Sequence, residues 1–363
     1  MDFLNNLFTN LYDAIKIFLV DFLKGTTLRA DAQSALVALV MAIIAITAIL
    51  IFAPLTMLAL TYLERKLVGR IQNRIGANRA GPFGLLQPVA DMIKFFIKED
   101  IVPANADKLV HTLAPIVVNI PVVLAFAVLP FGKGMTAVDI NVGLLYVVAV
   151  GSVGTIVIFM AGFGSSNKFA LIGGMRAVAQ IISYEVPQVF SLVTVLLLTG
   201  TMSLTKIVDA QSGWGGFQWF VFAFPVGPIA FFIFFLAAMA EANRTPFDLP
   251  EGESEIVSGH HTEYSGMKFG MFYFAEFLNL FFLCALGATL FLGGWQGPIL
   301  PPWLWLLIKT YALIWIAFWW RGTLPRFRID QLMGFAWKVL VPLALVNIFL
   351  TTVLLPIYDS LGF

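Results

Sequence analysis

Long apolar runs separated by shorter polar stretches dominate the chain. A helix needs roughly 18–20 apolar residues to cross a bilayer, and eight runs approach or exceed that length. The runs are continuous, which favours helices over the short alternating strands of a membrane barrel. The pattern therefore predicts an all-α polytopic membrane protein with about eight transmembrane helices. We place these spans near 35–62, 110–131, 142–162, 175–200, 217–240, 267–292, 302–320 and 334–356.

Two further segments are amphipathic. In residues 1–34 the apolar side chains follow a helical stripe, and no basic stretch precedes them as it would in a secretory signal. We predict an interfacial helix and a linker over 1–34, followed by a single transmembrane domain over 35–363. Residues 85–97 repeat apolar side chains at helical spacing, which predicts a second helix at the membrane surface.

The lysines and arginines predict the orientation. Most of them fall in the loops that follow the odd-numbered spans, above all in 63–109. Because basic loops stay on the cytoplasmic side, loops 63–109 and 241–266 are predicted to be cytoplasmic and both termini periplasmic.

Composition narrows the chemistry. Hydrophobic residues make up 60% of the 363 positions and charged residues only 12%, against about 25% charged in soluble domains. One cysteine cannot hold a Cys-ligated iron–sulfur cluster, and no glycine-rich nucleotide motif is present. His260, His261 and Glu263 are metal-ligand types, but their spacing is not diagnostic. We predict no metal site, no nucleic-acid partner and no redox centre in this chain.

Acids inside the apolar runs are the first functional candidates. Glu185 and Glu276 fall in predicted spans, where a charge costs roughly 2.5–3.5 kcal/mol and usually marks an ion or proton path. Pro187 can bend the helix beside Glu185. A structural ion pair between Glu276 and Lys309 is the alternative, although Lys309 can also extend to the end of its span.

The stretch AEANRTPFDLPEGESE, residues 240–255, crowds acids around the single base Arg244. A solvated acidic loop is one interpretation. Prolines and Phe247 make the stretch stiff and partly apolar. The other interpretation is therefore a loop of part-buried acids that raise one another's pKa. The residues alone favour proton or cation transport, then a chamber for a lipophilic substrate, then a structural anchor. The acids of the stretch 240–255 are Glu241, Asp248, Glu251, Glu253 and Glu255.

Four motifs carry a family resemblance between about Leu63 and Trp295. They are LERKLVGRIQNRIGANRAGPFGLLQPVADMIKFFIKED, SNKFALIGGMRAVAQIISYE, AEANRTPFDLPEGESEIVSGHHTEYSGMKF and LFLGGW. These resemble the H-type membrane subunits of bacterial NADH:quinone oxidoreductase, respiratory complex I. The resemblance implies a protein of the bacterial inner membrane that forms much of a quinone chamber and couples quinone reduction to proton pumping. It implies no covalently bound group.

The same resemblance implies the partners. Quinone is the substrate, FMN and iron–sulfur clusters belong to partner subunits, and NADH acts only through them. The expected neighbours are the peripheral-arm quinone-site and iron–sulfur subunits, small membrane subunits, antiporter-like subunits and lipid. A related subunit of an energy-converting hydrogenase and a free-standing proton or cation transporter remain the alternatives.

Site residues follow from motif position. The resemblance puts four residues beside the quinone passage and three in an acidic loop next to the chamber. Four carboxylates match a proton route. Ser152 stands where some members carry a glutamate, and His260 replaces a common tyrosine. The passage residues are Glu64, Arg65, Asp91 and Lys94; the loop residues are Glu251, Glu253 and Glu255; the route residues are Glu241, Glu185, Glu276 and Asp248.

Overall fold

The computed structural model describes residues 7–24, 30–213, 218–250 and 252–361. Regular secondary structure within these residues is helical throughout. The helices are α1 Leu7–Lys24, α2 Ala30–Ile71, α3 Gln87–Ile97, α4 Lys108–Val117, α5 Asn119–Phe126, α6 Gly143–Gly164, α7 Lys168–Thr199, α8 Leu204–Ala210, α9 Val226–Glu241, α10 Glu253–Ile256, α11 Gly266–Phe291, α12 Pro302–Thr323, α13 Ile329–Phe335 and α14 Val341–Leu361.

The predicted all-α membrane architecture is confirmed. Seven helical segments of the described chain are long and apolar enough to cross a membrane. The remaining predicted span, 217–240, is shorter than expected, because α9 covers only Val226–Glu241. Its 16 residues extend about 24 Å, less than the roughly 30 Å of a hydrocarbon core. Pro225 and Pro228 explain the late start, since proline fits the first turn of a helix and not its interior.

Two helices are longer than a bilayer is thick. The 42 residues of α2 and the 32 residues of α7 reach about 63 Å and 48 Å. Helix α7 runs without interruption through Pro187, the position where the sequence allows a bend. It therefore connects polar loops at its amino-terminal end with the apolar interior, where Glu185 lies.

Both predicted amphipathic segments contain helices. Ile15 and Leu19 of α1 pack against Val37 and Met41 of α2. Helix α3 exposes an apolar face and turns Phe95 towards α11. The position of α1 and α3 at the membrane surface, the orientation of the termini and the division at residue 34 stay predictions; residues 1–6 and 25–29 lie outside the described chain.

Helix α11 lies at the centre of the bundle. It is buried along most of its length by α5, α9 and α12, and aromatic rings fill the contacts. The ring of Phe281 packs edge-on against Phe52 of α2, with centroids 5.7 Å apart. Such pairs add roughly 0.5–1.5 kcal/mol each beyond their buried area. A rigid α11 fixes the polar side chains that it carries.

Candidate functional site

A cavity of about 120 Å³ lies among α5, α6, α7, α9 and α11, inside the helical bundle. Most of its wall is apolar, and acids and amides from three helices and the loop after α9 interrupt that wall. A volume of this size has room for several water molecules beside polar groups. The acids and amides are Glu185, Gln188, Glu241, Asn243, Glu276 and Asn279.

Helical spacing explains why these side chains converge. Glu185 and Gln188 stand three residues apart on α7, and Glu276 and Asn279 stand three apart on α11. Residues at this spacing share one face of a helix. Glu241 is the last residue of α9 and faces the amides of Gln188 and Asn279. The amides were missed from sequence, although a polar residue three positions after a buried acid was a usable signal.

Ser152 contacts Glu185 directly. Its hydroxyl lies 2.6 Å from Oε1 of Glu185 and 3.0 Å from the carbonyl oxygen of Val148. One hydroxyl carries one hydrogen, so it donates to one of these acceptors at a time. Ser152 therefore provides a polar partner for the α7 acid.

Arg244 joins two of the predicted acids. Its guanidinium is 3.3 Å from Oε1 of Glu276 and 3.5 Å from Oε2 of Glu64, and it lies over the ring of Phe277. Only 3% of its surface is exposed. Arg321 also pairs with Glu64. A buried arginine keeps its charge, so Arg244 provides a positive charge beside both acids.

The alternative pair between Glu276 and Lys309 is wrong. The ammonium of Lys309 donates to the carbonyl oxygens of Gly294 and Gln296, at 2.9 and 2.7 Å. It also lies 4.5 Å from the centre of the Trp219 ring. Lys309 therefore anchors the loop after α11, because its long side chain reaches beyond the start of α12.

The acidic stretch is divided among separate partners. Asp248 is buried and accepts from Arg326 at 2.9 Å, whereas Glu255 is exposed and pairs with Arg176 at 2.8 Å. Each of these two acids therefore lies beside its own arginine, which compensates the repulsion expected between neighbouring acids. Residues 246–250 are buried, so the solvated-loop interpretation is wrong for that part. Glu251 lies outside the described residues, as does the side chain of Glu253.

Two contacts fix this stretch on α7. The buried amide of Gln180 donates to the carbonyl oxygens of Ala240 and Phe247, both at 2.7 Å. Farther along, Gly173 lies so close to Gly259 that a Cβ at position 173 would be 2.4 Å from the Gly259 Cα. These contacts place the end of α9 and the 259–261 turn beside the cavity.

The residues predicted for a quinone passage form two groups. Glu64 is buried and belongs to the Arg244 network. Arg65 pairs with Asp91 and so links α2 to α3. Lys94 is exposed on α3, apart from both. Along the described chain, no three histidine, cysteine, aspartate or glutamate side chains converge as metal ligands.

Comparison with known proteins identifies the family. The NADH dehydrogenase family matches residues 44–352. The H subunit of the NADH-quinone oxidoreductase of Dehalococcoides mccartyi (strain CBDB1) is 53% identical over 300 residues, which cover 83% of each chain. An H subunit of Geobacter sulfurreducens, numbered 2, is 48% identical over 314 residues, 84% of this chain and 93% of the relative. The H subunit of Carboxydothermus hydrogenoformans is also 48% identical, over 85% and 87%. The chain therefore belongs to the NADH dehydrogenase family.

Proposed function

We propose that this chain is a membrane subunit of a proton-translocating NADH-quinone oxidoreductase and carries no redox centre of its own. The names of relatives at 48–53% identity support this function. The one cysteine, Cys284, is buried in α11. Electrons therefore reach quinone from partner subunits, which hold FMN and the iron–sulfur clusters.

The carboxylate-lined cavity is the observation that carries the proton-translocating part of the proposal. Glu185 and Glu241 line a space with room for water, and neither is paired with an arginine in the described contacts. Glu276 and Asp248 each face one. We therefore assign the exchangeable protons to Glu185 and Glu241, and a field-setting role to Glu276 and Asp248.

The Arg244 network supports a link between the quinone side and the cavity. Glu64 lies in the motif assigned to the quinone passage, and Arg244 bridges it to Glu276 at the cavity wall. Two unit charges about 4 Å apart interact by about 4 kcal/mol at an effective dielectric of about 20. A charge change near Glu64 thus alters how strongly Arg244 holds Glu276.

The remaining assignments complete the proposal. The quinone passage uses Glu64, Arg65, Asp91 and Lys94, and the acidic loop with Glu251, Glu253 and Glu255 borders the chamber. Partners are the quinone-site and iron–sulfur subunits of the peripheral arm, small membrane subunits and antiporter-like subunits. The protein lies in the bacterial inner membrane, with loops 63–109 and 241–266 cytoplasmic and both termini periplasmic.

Purification of the tagged chain from its own host tests this function. We expect a large assembly that oxidises NADH with quinone and acidifies one side of proteoliposomes. Isolation of the chain alone, with proton or cation transport, would favour the free-standing transporter. Co-purification with a nickel-containing hydrogenase protein, without NADH oxidation, would favour the energy-converting hydrogenase.

A further inference from the structure

The three histidines of the chain gather in one place. His111 is about 150 residues away from the adjacent His260 and His261 in sequence, yet the three rings pack against Tyr264 and Phe272. His111 stacks on Tyr264 at 4.2 Å. The exposed fractions of His260 and His261 are 3% and 7%. Histidine is the side chain whose charge ordinarily changes near neutral pH, so its concentration at one site calls for a function.

Two of the three histidines line the carboxylate cavity. His260 and His261 belong to its wall, and His111 does not. The acids that line the same cavity are Glu185 from α7, Glu241 from α9 and Glu276 from α11, the last of which pairs with Arg244. Helices α5 and α6, with Val118 just before α5, contribute apolar residues and neutral Thr155 to this wall. Lys268, at the start of α11, pairs with Asp100 at 2.9 Å.

The geometry of the pair limits how much charge it holds. The ring centres of His260 and His261 are 3.8 Å apart. Two imidazolium ions at this separation repel strongly in a buried site, so the pair takes up one proton at a time. An imidazole can also accept a proton at one nitrogen and release one from the other.

The phenol of Tyr264 is not suited to exchanging protons near neutral pH. Burial raises the pKa of its phenol to about 12, and its hydroxyl donates to the carbonyl oxygen of Ala161 at 3.3 Å. The phenol therefore stays protonated through the physiological range. Among the rings of this cluster, the imidazoles are the groups that exchange protons near neutral pH.

We infer that His260 and His261 form a proton-loading pair for the carboxylate cavity. The N–H bond of the charged imidazole breaks, and the proton passes through cavity water to form an O–H bond on Glu241 or Glu185. The neutral pair then takes a new proton from the side of the 262–265 loop, where Thr262 and Glu263 are only half-buried. This inference rests on the proposed function, in which Glu241 and Glu185 pass protons on for translocation.

The test compares variants of the assembled complex in proteoliposomes. His260→Phe keeps a ring beside Phe272, His260→Gln keeps a polar side chain, and His111→Phe is the matched control within the same cluster. The rate of proton translocation is measured with NADH and quinone from about pH 6 to about pH 8.5, the interval that brackets imidazole titration. Dividing the wild-type rate by the variant rate removes pH effects that other groups cause.

For both His260 variants, we expect the ratio to be at least about threefold near pH 6 and to approach one near pH 8.5, where the wild-type imidazoles are also neutral. For His111→Phe we expect a ratio that does not change with pH. If the Phe variant fails to assemble, the Gln variant carries the test.

Two results would overturn the inference. One is a ratio for assembled His260 variants that stays constant with pH while NADH oxidation by quinone continues, which leaves the proposed function intact. The other is the same pH-dependent ratio for His111→Phe, since position beside the cavity would then be irrelevant. Failure of the wild-type complex to reduce quinone would instead remove the proposed function.

Discussion

At the scale of single residues, the buried guanidinium of Arg244 joins two acids from different helices. It contacts Glu64 and Glu276 at similar distances. The sequence pointed to Glu276 because an acid in an apolar run is visible in the pattern. Its partner was not predictable, since Arg244 lies in another segment and only the fold brings the two together. The same holds for Glu64, whose two arginines come from distant parts of the chain.

Removal of Arg244 takes a buried positive charge away from Glu64 and Glu276, although Arg321 remains beside Glu64. We expect Arg244→Gln to destabilise the folded protein by about 3–5 kcal/mol, seen as a lower midpoint of thermal unfolding of the purified complex. A second change, Glu276→Gln, should recover part of this loss, because one uncompensated charge is then gone. The control is Arg328→Gln. Arg328 and Asp330 form an exposed ion pair, with 75% and 60% of their side chains exposed. The control substitution should therefore change the free energy of unfolding by no more than about 1 kcal/mol. Equal midpoints for Arg244→Gln and Arg328→Gln would refute this account of Arg244.

Ser152 allows a second residue-level prediction. Ser152→Ala removes the hydroxyl that lies 2.6 Å from Glu185, and a hydrogen bond to a charged group is worth roughly 1.5–3 kcal/mol. The ionised form of Glu185 loses that support, so its proton is released more slowly and proton translocation falls several-fold. Ser152→Thr keeps the hydroxyl and should retain most of the rate. If the Ala and Thr variants translocate protons equally fast, the hydroxyl has no part in the route.

At the scale of elements, α7 organises the site. It carries Glu185 and Gln188 inside the bundle, and through Gln180 and Gly173 it holds the polar segment that follows α9. Apolar runs predicted the helices well, because lipid leaves the backbone few alternatives. The prediction failed at the start of α9, where prolines shorten the helix. It could not foresee the contact between Gly173 and Gly259, since a glycine in sequence does not say which backbone approaches it.

That contact is testable with one added methyl group. Gly173→Ala places a Cβ 2.4 Å from the Gly259 Cα, so the 259–261 turn must move away from α7. We expect at least about 1–3 kcal/mol of destabilisation from overpacking and a clear loss of NADH:quinone activity in the membrane. Gly334→Ala is the matched control, because apart from the neighbouring backbone of its own helix no atom lies within 4 Å of its added Cβ. A Gly173→Ala enzyme as active and as stable as the Gly334→Ala enzyme would contradict the close packing.

At the scale of the whole molecule, five helices (α5, α6, α7, α9 and α11) converge on one cavity, large enough for water, inside a membrane protein. Helix α7 carries Glu185 and Gln188 of that cavity, and Arg244 links Glu276 at the cavity wall to Glu64 on α2. The acids were predicted from sequence; their division into arginine-held and exchangeable groups required the structure. The central claim is that the exchangeable acids Glu185 and Glu241 couple quinone chemistry to proton translocation.

Replacement of Glu241 tests that claim most directly. Glu241→Gln keeps the size of the side chain and removes its ability to take up and release a proton. In the assembled complex, with NADH and quinone, we expect proton translocation to fall at least about tenfold, and the coupled quinone reduction to fall with it. Asp330→Asn, an exposed acid on α13, serves as the control and should leave both rates unchanged. Wild-type rates of quinone reduction and proton translocation in the Glu241→Gln enzyme would contradict the account.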